Sequence, residues 1–309
     1  MKPLCTIVVA VLQSRVSIQA ADQIECSSGI ARRQIVRLLA RAPLVVLSGA
    51  GLSTSCGIPD YRDREGRWKR PQPIDHQAFL RSAEMRRRYW RRSFQGWPVI
   101  GQAAPGAGHR ALAQMEAQGQ IGLVVTQNVD GLHQKAGSRA VLELHGGLAR
   151  VACLDCRQLH ARATVQDWIA AANPGIQPAP ATAAPDGDAD LPDDSSGFEV
   201  PACPACGGTL KPDVVFFGDS VPRERVQAVT NAIDAASGLL VVGSSLMVYS
   251  GFRFTEHAHR AGKPVIAVNL GRTRADHLLA AKVEQDCDAF LAELCAAVQP
   301  QAGAGPGAF

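Results

Sequence analysis

"VVLSGAGLSTSCGIPDYRD", residues Val45–Asp63, joins a short apolar run to a glycine-containing turn. Such a run is typical of a buried parallel strand, and the turn resembles the start of a dinucleotide-binding fingerprint, G-x-G-x-x-G. Gly49 and Gly51 fit that fingerprint, but Thr54 occupies the position of its third glycine. The region about 20 residues on also lacks the strand-ending acidic residue that the fingerprint requires. The stretch therefore indicates either a different kind of nucleotide site or only a tight connection from strand to helix.

Other short apolar runs repeat this arrangement along the chain. They are Leu44–Leu47, Leu123–Thr126, Val141–Leu144, Leu239–Val242 and Val265–Asn269, and helical patterns lie between some of them, at Gly108–Gln118, Pro222–Ala236 and Phe252–Ala261. Strands that are apolar on both faces and alternate with helices predict an α/β fold with a doubly wound, mostly parallel, Rossmann-like sheet. Because ligands of such sheets bind beyond the carboxyl ends of the strands, the residues that follow each run are the candidates for a site.

Polar residues are concentrated at these strand ends. "TQNVDGLH" places Gln127, Asn128 and Asp130 directly after one run, and "ELHGG" places His145 after another. Amide and carboxylate groups in such a loop can hold an amide, a ribose or a cationic ring. A lone histidine is more often structural, but one at the active edge of a doubly wound sheet is a candidate general base near neutral pH.

Two C-x-x-C pairs predict a metal site. Cys153 with Cys156, and Cys203 with Cys206, would each present two thiolates from one tight turn, and together they complete a closed tetrahedral site of the structural zinc type. Unliganded buried cysteines and redox chemistry are the alternatives. The total of nine cysteines is odd, which favours metal binding in a reducing compartment over a disulfide framework.

The composition divides the chain into segments. The stretch between the cysteine pairs, 173–197, is rich in Pro, Ala, Gly and Asp, which predicts a disordered loop. We expect an N-terminal extension at 1–29 and an α/β domain in two parts, 30–150 and 211–298. A small zinc-binding module at 151–210 is inserted between these parts, and a disordered tail follows at 299–309.

Charge and hydropathy exclude other classes of protein. The net charge of +4 arises mainly from one arginine-rich stretch, "RSAEMRRRYWRR", so a global basic surface for nucleic acid is absent. No apolar run reaches the length of a membrane span, and the apolar segment Leu4–Leu12 lacks the flank of an export signal. We expect a cytoplasmic, monomeric protein without nucleic-acid or membrane partners.

The motifs together resemble one family. "GAGLSTSCGIPDYR", "TQNVDGLH", "LHG", the paired C-x-x-C, "KPDVVFFGD", "GSSLMVYS" and "VNLG" occur in this order between Ile30 and Val298. This combination closely resembles the sirtuins, the NAD-dependent protein lysine deacylases. "MRRRYWRRSF", "GWP" and "KAGSR" are similar to the mitochondrial and bacterial branch called class II.

The resemblance implies a site for NAD as cosubstrate, one structural zinc ion and acylated-lysine proteins as substrates. His145 would be the catalytic base, and Asn128 would act beside it at the nicotinamide pocket. The residues implied for NAD are Gly49, Ala50, Gly51, Ser53, Gly57, Ile58, Pro59, Asp60, Tyr61, Arg62, Gln127, Asn128, Asp130, Gly243, Ser244, Ser245, Asn269, Leu270, Gly271 and Cys287. The edge that pairs with substrate peptide would be Val214, Val215, Phe216, Phe217 and Gly218.

The implied reaction releases free lysine, nicotinamide and O-acyl-ADP-ribose. A mono-ADP-ribosyltransferase would share every motif and is the alternative, and a non-catalytic NAD-sensing module is a third possibility, against which an intact His145 argues. Tyr89 and Arg92 stand at i, i+3 of a predicted helix. Their Tyr-x-x-Arg pattern resembles that of sirtuins that accept acidic acyl groups, so they would line the acyl pocket and favour acidic or long acyl groups, unless the helix turns its arginines to solvent.

Overall fold

A computed structural model describes residues 29–70, 72–177, 184–189 and 196–298. Residues 1–28 of the predicted extension, the predicted tail 299–309 and parts of the predicted loop 173–197 therefore lie outside the described residues. Within the described ranges, no helix has the length and apolar character needed to cross a lipid bilayer.

The described residues form the following strands and helices. The strands are β1 Leu44–Ser48, β2 Ile121–Thr126, β3 Val141–Glu143, β4 Gly146–Cys153, β5 Leu159–Ala161, β6 Leu210–Val214, β7 Leu239–Val242, β8 Val265–Val268 and β9 Ala281–Val283. The helices are α1 29–39, α2 His76–Arg81, α3 Ala83–Gln102, α4 Ala107–Ala117, α5 Leu132–Lys135, α6 Arg162–Ala172, α7 Arg223–Ala235, α8 Tyr249–Arg260 and α9 Cys287–Ala297.

The larger sheet has the strand order β3-β2-β1-β7-β8-β9, and its strand pairings are parallel. Successive side chains of β1 enter opposite cores: Leu44 and Val46 pack in a core with α1, α4 and α9, whereas Val45 and Leu47 pack with α7 and α8. Burial on both faces is the reason that the strand is apolar throughout. This confirms the predicted doubly wound α/β fold, to which the structure adds the edge strand β9.

The smaller sheet has the order β5-β4-β6 and is antiparallel. Its core includes Val151, Val165 and Phe198, and the aromatic side chains of Phe79 and Trp90 from α2 and α3 pack into the same core. The helices α2 and α3, which the sequence assigned to the NAD-binding domain, thus share a core with the cysteine-containing segment. We propose that the second unit of the fold consists of these two insertions together.

Part of the segment predicted as a disordered loop is packed. Residues 184–189 form a turn in which the N–H of Gly187 donates to the carbonyl of Ala184 at 3.0 Å. Asp188 and Ala189 are 4% and 0% exposed. The difference from the prediction arises because the segment packs against α3, and composition alone does not reveal such a contact.

Candidate active site

Two glycine turns meet at the carboxyl ends of β1 and β7. A Cβ atom at Gly49 would lie 2.7 Å from Cβ of Ser244, and one at Gly51 would lie 2.9 Å from the carbonyl oxygen of Gly243. The N–H of Gly51 donates to that same carbonyl at 2.8 Å. The glycines after β1 are therefore required for the contact between the two turns, in addition to any role toward a ligand.

A cavity of about 580 Å³ opens where these turns meet the smaller unit, a volume typical of cofactor sites. Many of the residues predicted from the sequence line it: Gly49, Ala50, Gly51, Asp60, Tyr61, Arg62, Tyr89, Gln127, Asn128, His145, Val214, Val215, Phe216, Phe217, Gly218, Gly243, Ser244, Ser245, Asn269 and Leu270. Others lie outside its lining: Ser53, Gly57, Ile58, Pro59, Asp130, Gly271, Cys287 and Arg92.

The loop after β2 is held by side-chain hydrogen bonds to the first turn. Asn128 donates through Nδ2 to the carbonyl of Gly49 and to Oγ of Ser53, both at 3.0 Å. Ser53 in turn donates to Asp130 at 2.8 Å, and the second carboxylate oxygen of Asp130 accepts from the N–H of Leu132 at 2.9 Å. Asp130 and Ser53 thus lie behind the cavity wall and fix the position of Asn128, which lines it.

His145 lies at the cavity wall between β3 and β4 with both ring nitrogens engaged. Nδ1 lies 2.9 Å from the carbonyl oxygen of Gln127, and Nε2 lies 2.8 Å from Oγ of Ser250. A carbonyl only accepts hydrogen bonds, so Nδ1 carries the proton and Nε2 presents a lone pair. Burial lowers the pKa of His145 below 6.5 and outweighs the hydrogen bond to Gln127; the charge of Arg225 lowers it further. The imidazole is therefore a neutral base whose basic atom is Nε2.

Ser250 is a cavity residue that the sequence reading did not single out. It lies in the first turn of α8, at the end of the motif "GSSLMVYS", and its hydroxyl donates to Nε2 of His145. The local sequence does not show that Ser250 contacts His145, because the two residues are separated by about 100 positions. The serine at the end of the motif could have been noted as a polar residue, but not as the partner of His145.

The loop that follows the first turn folds over the cavity. Arg62 donates to the carbonyl of Gly66 at 2.8 Å, and its guanidinium lies 4.1 Å from the ring centroid of Trp68. The rings of Tyr61, Trp68 and Phe217 pack edge to face, with centroids 5.5–6.1 Å apart. These aromatic contacts join the loop to the segment after β6 and cover the cavity between them.

The other end of the cavity lies at β8. Asn269 directly follows this strand, lines the cavity and donates to the carbonyl of Gly271 at 3.2 Å. Cys287 is buried behind it, where its thiol donates to the carbonyl of Val268 at 3.6 Å. Burial raises the pKa of Cys287 to about 12, which keeps the thiol protonated.

Tyr89 and Arg92 have different environments. Tyr89 lines the cavity and is 5% exposed, with its ring packed 5.2 Å from that of Phe216. Arg92, one turn further along α3, instead points to the packed segment 184–189. Its Nε lies 3.0 Å from a carboxylate oxygen of Asp188 and 2.9 Å from the carbonyl oxygen of Ala189. Arg92 itself does not line the cavity, although the Tyr-x-x-Arg pattern predicts that it does, whereas its partner Asp188 lines it.

The four cysteines of the C-x-x-C pairs form a cluster. The sulfur atoms of Cys153, Cys156, Cys203 and Cys206 all lie within 4.8 Å of one another. The backbone N–H groups of Cys156 and Asp155 lower the pKa of Cys153 to about 7, although burial opposes them. Four thiols in this arrangement, one with a stabilised thiolate, fit a tetrahedral structural zinc ion.

The two turns of this cluster have the same backbone geometry. In each, the residue four places after the first cysteine donates its N–H to that cysteine's carbonyl: Arg157 to Cys153 at 3.1 Å, and Gly207 to Cys203 at 2.8 Å. Both donors adopt positive φ, 65° for Arg157 and 73° for Gly207. Nε2 of His160 lies 3.6 Å from the sulfur of Cys203, as is common for groups that support metal-binding thiolates.

Comparison with known proteins agrees with this architecture. A NAD-dependent protein deacetylase of Xanthomonas campestris is 59% identical over 252 residues, covering 81% of this chain and 86% of that protein. One from Bordetella bronchiseptica is 57% identical over 252 residues, covering 81% of this chain and 92% of that protein. The fold is similar to a structure of Sir2 bound to acetylated peptide, with a TM-score of 0.68 and 29% identity over 86% of this chain and 97% of the other.

The family itself is matched over the segment that builds the cavity. The Sir2 family model matches residues 49–250, from the first glycine turn to Ser250, with both cysteine pairs between them. The chain therefore belongs to the Sir2 family, the sirtuins.

Proposed function

We propose that this protein is an NAD-dependent protein lysine deacetylase that yields nicotinamide, free lysine and O-acyl-ADP-ribose. The observation that carries this proposal is the orientation of His145, whose basic Nε2 lies at the wall of a cavity built from the glycine turns and the segment after β6. Relatives at 57–59% identity are NAD-dependent protein deacetylases, which supports the same activity.

NAD is proposed to bind along the carboxyl ends of the larger sheet. Bound there, it supplies the electrophilic ribose carbon and the ribose hydroxyls of the reaction. The turn at Gly49, Ala50 and Gly51 would hold the phosphates, and the amide of Asn128 would hold the carboxamide of nicotinamide. Ser244, Ser245 and Asn269 would contact the adenosine half. The aromatic loop around Tyr61 would exclude water from the reacting carbon, as this chemistry requires.

His145 is proposed to move the proton. A ribose hydroxyl that enters the position now bonded by Ser250 would meet Nε2, which can accept its proton while Nδ1 remains bonded to the carbonyl of Gln127. The carbonyl keeps the ring in one tautomer and stabilises the cation that forms. One ring nitrogen thus accepts the proton while the other is held by a backbone carbonyl, as in many histidine general bases.

The substrate peptide is proposed to pair with the segment that continues β6. β6 is an edge strand of the smaller sheet, and the N–H of Val215 donates to the carbonyl of His145 at 2.8 Å. Residues Val214–Gly218 line the cavity. A peptide added as a strand along this edge would direct its acylated lysine toward His145.

The zinc ion, the location and the partners complete the proposal. Zinc held by the four cysteines would fix the two turns of the smaller unit without taking part in the chemistry. A reducing cytoplasm is the proposed location, because the four thiols must stay reduced to bind zinc. We propose that the protein acts as a monomer on acylated proteins and not on nucleic acid.

The intact mass of an acetyl-lysine peptide tests the proposed reaction. With NAD, we expect the peptide to lose its acetyl group while nicotinamide is released in equal amount. Without NAD, its mass should not change. A peptide that keeps its acetyl group, while protein in the mixture gains ADP-ribose, would instead favour the mono-ADP-ribosyltransferase. The motifs are shared by both activities, so this measurement separates what the sequence leaves open.

Ser250 gives a prediction about the orientation of the base. Ser250→Ala removes the hydroxyl that occupies Nε2 of His145 and that a ribose hydroxyl must displace, so we expect kcat/KM for deacetylation to rise by about 3–10-fold, the effect of one hydrogen bond. The acid limb of the pH profile should also move upward, because the lost hydroxyl favours the neutral ring. Ser250→Thr keeps the hydroxyl and serves as the control. Equal profiles for the parent and Ser250→Ala would contradict this role.

The pH dependence of the parent enzyme follows from the lowered pKa of His145. The base must be neutral, so activity is present above its pKa in the folded protein and is lost as pH falls through that value. Because burial holds this pKa below 6.5, we expect the acid limb of kcat/KM to have its midpoint below pH 6.5. A midpoint at or above 6.5 would show that another group, or a solvated histidine, controls the rate.

A further inference from the structure

Segment 184–189 packs against α3 at a position where each of the two carries a glycine. A Cβ atom at Gly96 would lie 2.8 Å from the carbonyl oxygen of Asp188 and would clash with the carbonyl of Gly187. On the opposite side, the position of a Cβ at Gly187 lies 2.7 Å from the side chain of Leu148. The absence of side chains at both glycines therefore allows the segment to lie between α3 and β4.

The seated segment neutralises Arg92. Asp188 is 4% exposed and pairs with Nε of Arg92 at 3.0 Å, while the carbonyl of Ala189 accepts from the same nitrogen at 2.9 Å. Because the side chain of Asp188 is almost fully buried, separating the pair would leave its charge desolvated and without its partner. Arg92 is thus held to the segment, and its charge is compensated before any substrate enters.

Asp188 lines the cavity, and a second carboxyl group there belongs to Asp186. It lines the cavity with Tyr61 and Tyr89, and its charge raises the pKa of both phenols, although burial is the larger cause in each case. The N–H of Asp188 donates to Asp186 at 3.3 Å. The pKa of Asp186 is raised, because burial outweighs this N–H and the charges of Arg92 and Arg70, which lower it; an ammonium group that enters the cavity would therefore stabilise the ionised form of Asp186.

These contacts place an acidic wall beside the proposed path of the acyl group. Phe216 belongs to the proposed peptide edge, its ring packs on Tyr89, and Tyr89 shares the cavity wall with Asp186. We propose that segment 184–189 selects the acyl group: Asp186 favours neutral and ammonium-bearing acyl chains over carboxylate-bearing ones, and Asp188 prevents Arg92 from binding an acyl carboxylate. This inference rests on the proposed deacylase function and concerns the substrate class of the same site.

A set of acyl groups with equal chain length measures this selection. Peptides of one sequence would carry butyryl-, succinyl- or 4-aminobutyryl-lysine, so that the ends of the acyl chains are neutral, anionic or cationic. Two carboxylates placed together repel each other, and a carboxylate facing an ammonium group attracts it. In the parent enzyme, we expect kcat/KM for 4-aminobutyryl to exceed that for succinyl by about tenfold or more, with butyryl between them.

Three substitutions and a control locate the effect. Asp186→Asn should lower the ratio of 4-aminobutyryl to succinyl removal by about tenfold, the effect of one hydrogen bond to a charged group. Asp188→Asn leaves the charge of Arg92 uncompensated and should raise succinyl removal relative to butyryl. Gly96→Ala should act in the same direction by displacing the segment. Asp167→Asn removes an exposed carboxylate on α6 and should leave the ratio unchanged.

Binding separates this inference from the proposed function. The Kd of each peptide, measured by fluorescence anisotropy without NAD, reports the acyl preference even if no peptide is turned over. An enzyme that removes butyryl groups but prefers succinyl to 4-aminobutyryl groups, in Kd or in kcat/KM, would contradict acyl selection by segment 184–189. The deacylase proposal would remain intact. Failure to remove any acyl group would contradict the deacylase proposal, while the order of Kd values would still support or overturn the wall.

Discussion

His145→Ala is expected to reduce NAD-dependent deacetylation by about 10²–10⁴-fold, the range for loss of a general base. The reason is that Nε2 of His145 is the basic atom at the cavity wall, and its partner Nδ1 is committed to the carbonyl of Gln127. Initial rates of peptide deacetylation would measure the loss. NAD binding should persist, because the glycine turns and Asn128 are held by contacts that do not involve His145.

A matched histidine controls for removal of an imidazole. His259 is exposed near the end of α8 and lies outside the cavity lining, so His259→Ala should retain the parent rate. Thermal unfolding of both variants would show that the fold is kept. Parent-like turnover by folded His145→Ala would exclude His145 as the base, whereas a variant that neither turns over nor binds NAD would assign the residue to cofactor binding.

Cys153→Ala is expected to remove the zinc ion and to destabilise the smaller unit. The remaining three thiols cannot complete the closed tetrahedral site, and the binding energy of a structural zinc ion is part of the folding energy of its module. Because Cys153 is also 0% exposed in a core shared with α2 and α3, the loss should extend to the wall of the cavity. Metal content by mass spectrometry and the melting temperature of the purified protein are the measurements.

A thiol outside the cluster provides the comparison. Cys56 lies in the turn after β1 and is not one of the clustered cysteines, so Cys56→Ser should retain one equivalent of zinc. The parent treated with a strong chelator should behave like Cys153→Ala, with a lowered melting temperature. A zinc-free Cys153→Ala protein with the melting temperature of the parent would show that the cluster does not contribute to folding.

Local sequence patterns predict much of the fold and the cluster of cysteines. The apolar run at β1 predicts a doubly buried strand because both of its faces meet helices, and two C-x-x-C turns bring thiols together through the chain's own turn geometry. The pairing of the two turns, 47–53 residues apart, follows from the four ligands that a closed zinc site needs, whereas the strand and each C-x-x-C turn depend on residues that are close in sequence. For the same reason, the polar loop Gln127–Asp130 could be assigned to a strand end before its partners were known.

Contacts between distant segments could not be predicted. The sequence links Gly49 to a nucleotide site or to a tight strand-to-helix connection, but it does not show that the Cβ position of Gly49 is occupied by the turn at Gly243, nearly two hundred residues later. Ser250 reaches His145 only because α8 begins at the edge of the sheet where β3 ends. Segment 184–189 has the composition of a disordered loop, yet it packs on Gly96 of α3 and forms an ion pair with Arg92 of the same helix. Composition and periodicity contain no information on such pairings.

The proposed reaction transfers the acetyl group to ADP-ribose, and a labelled acetyl group shows whether this transfer occurs. A peptide with deuterated acetyl-lysine would be incubated with NAD and the protein, and the small-molecule products would be separated by mass spectrometry. We predict that the label appears on ADP-ribose, as O-acetyl-ADP-ribose, in amounts equal to the nicotinamide and free lysine formed. Label recovered only as free acetate, or retained on the peptide while a protein gains ADP-ribose, would contradict the account.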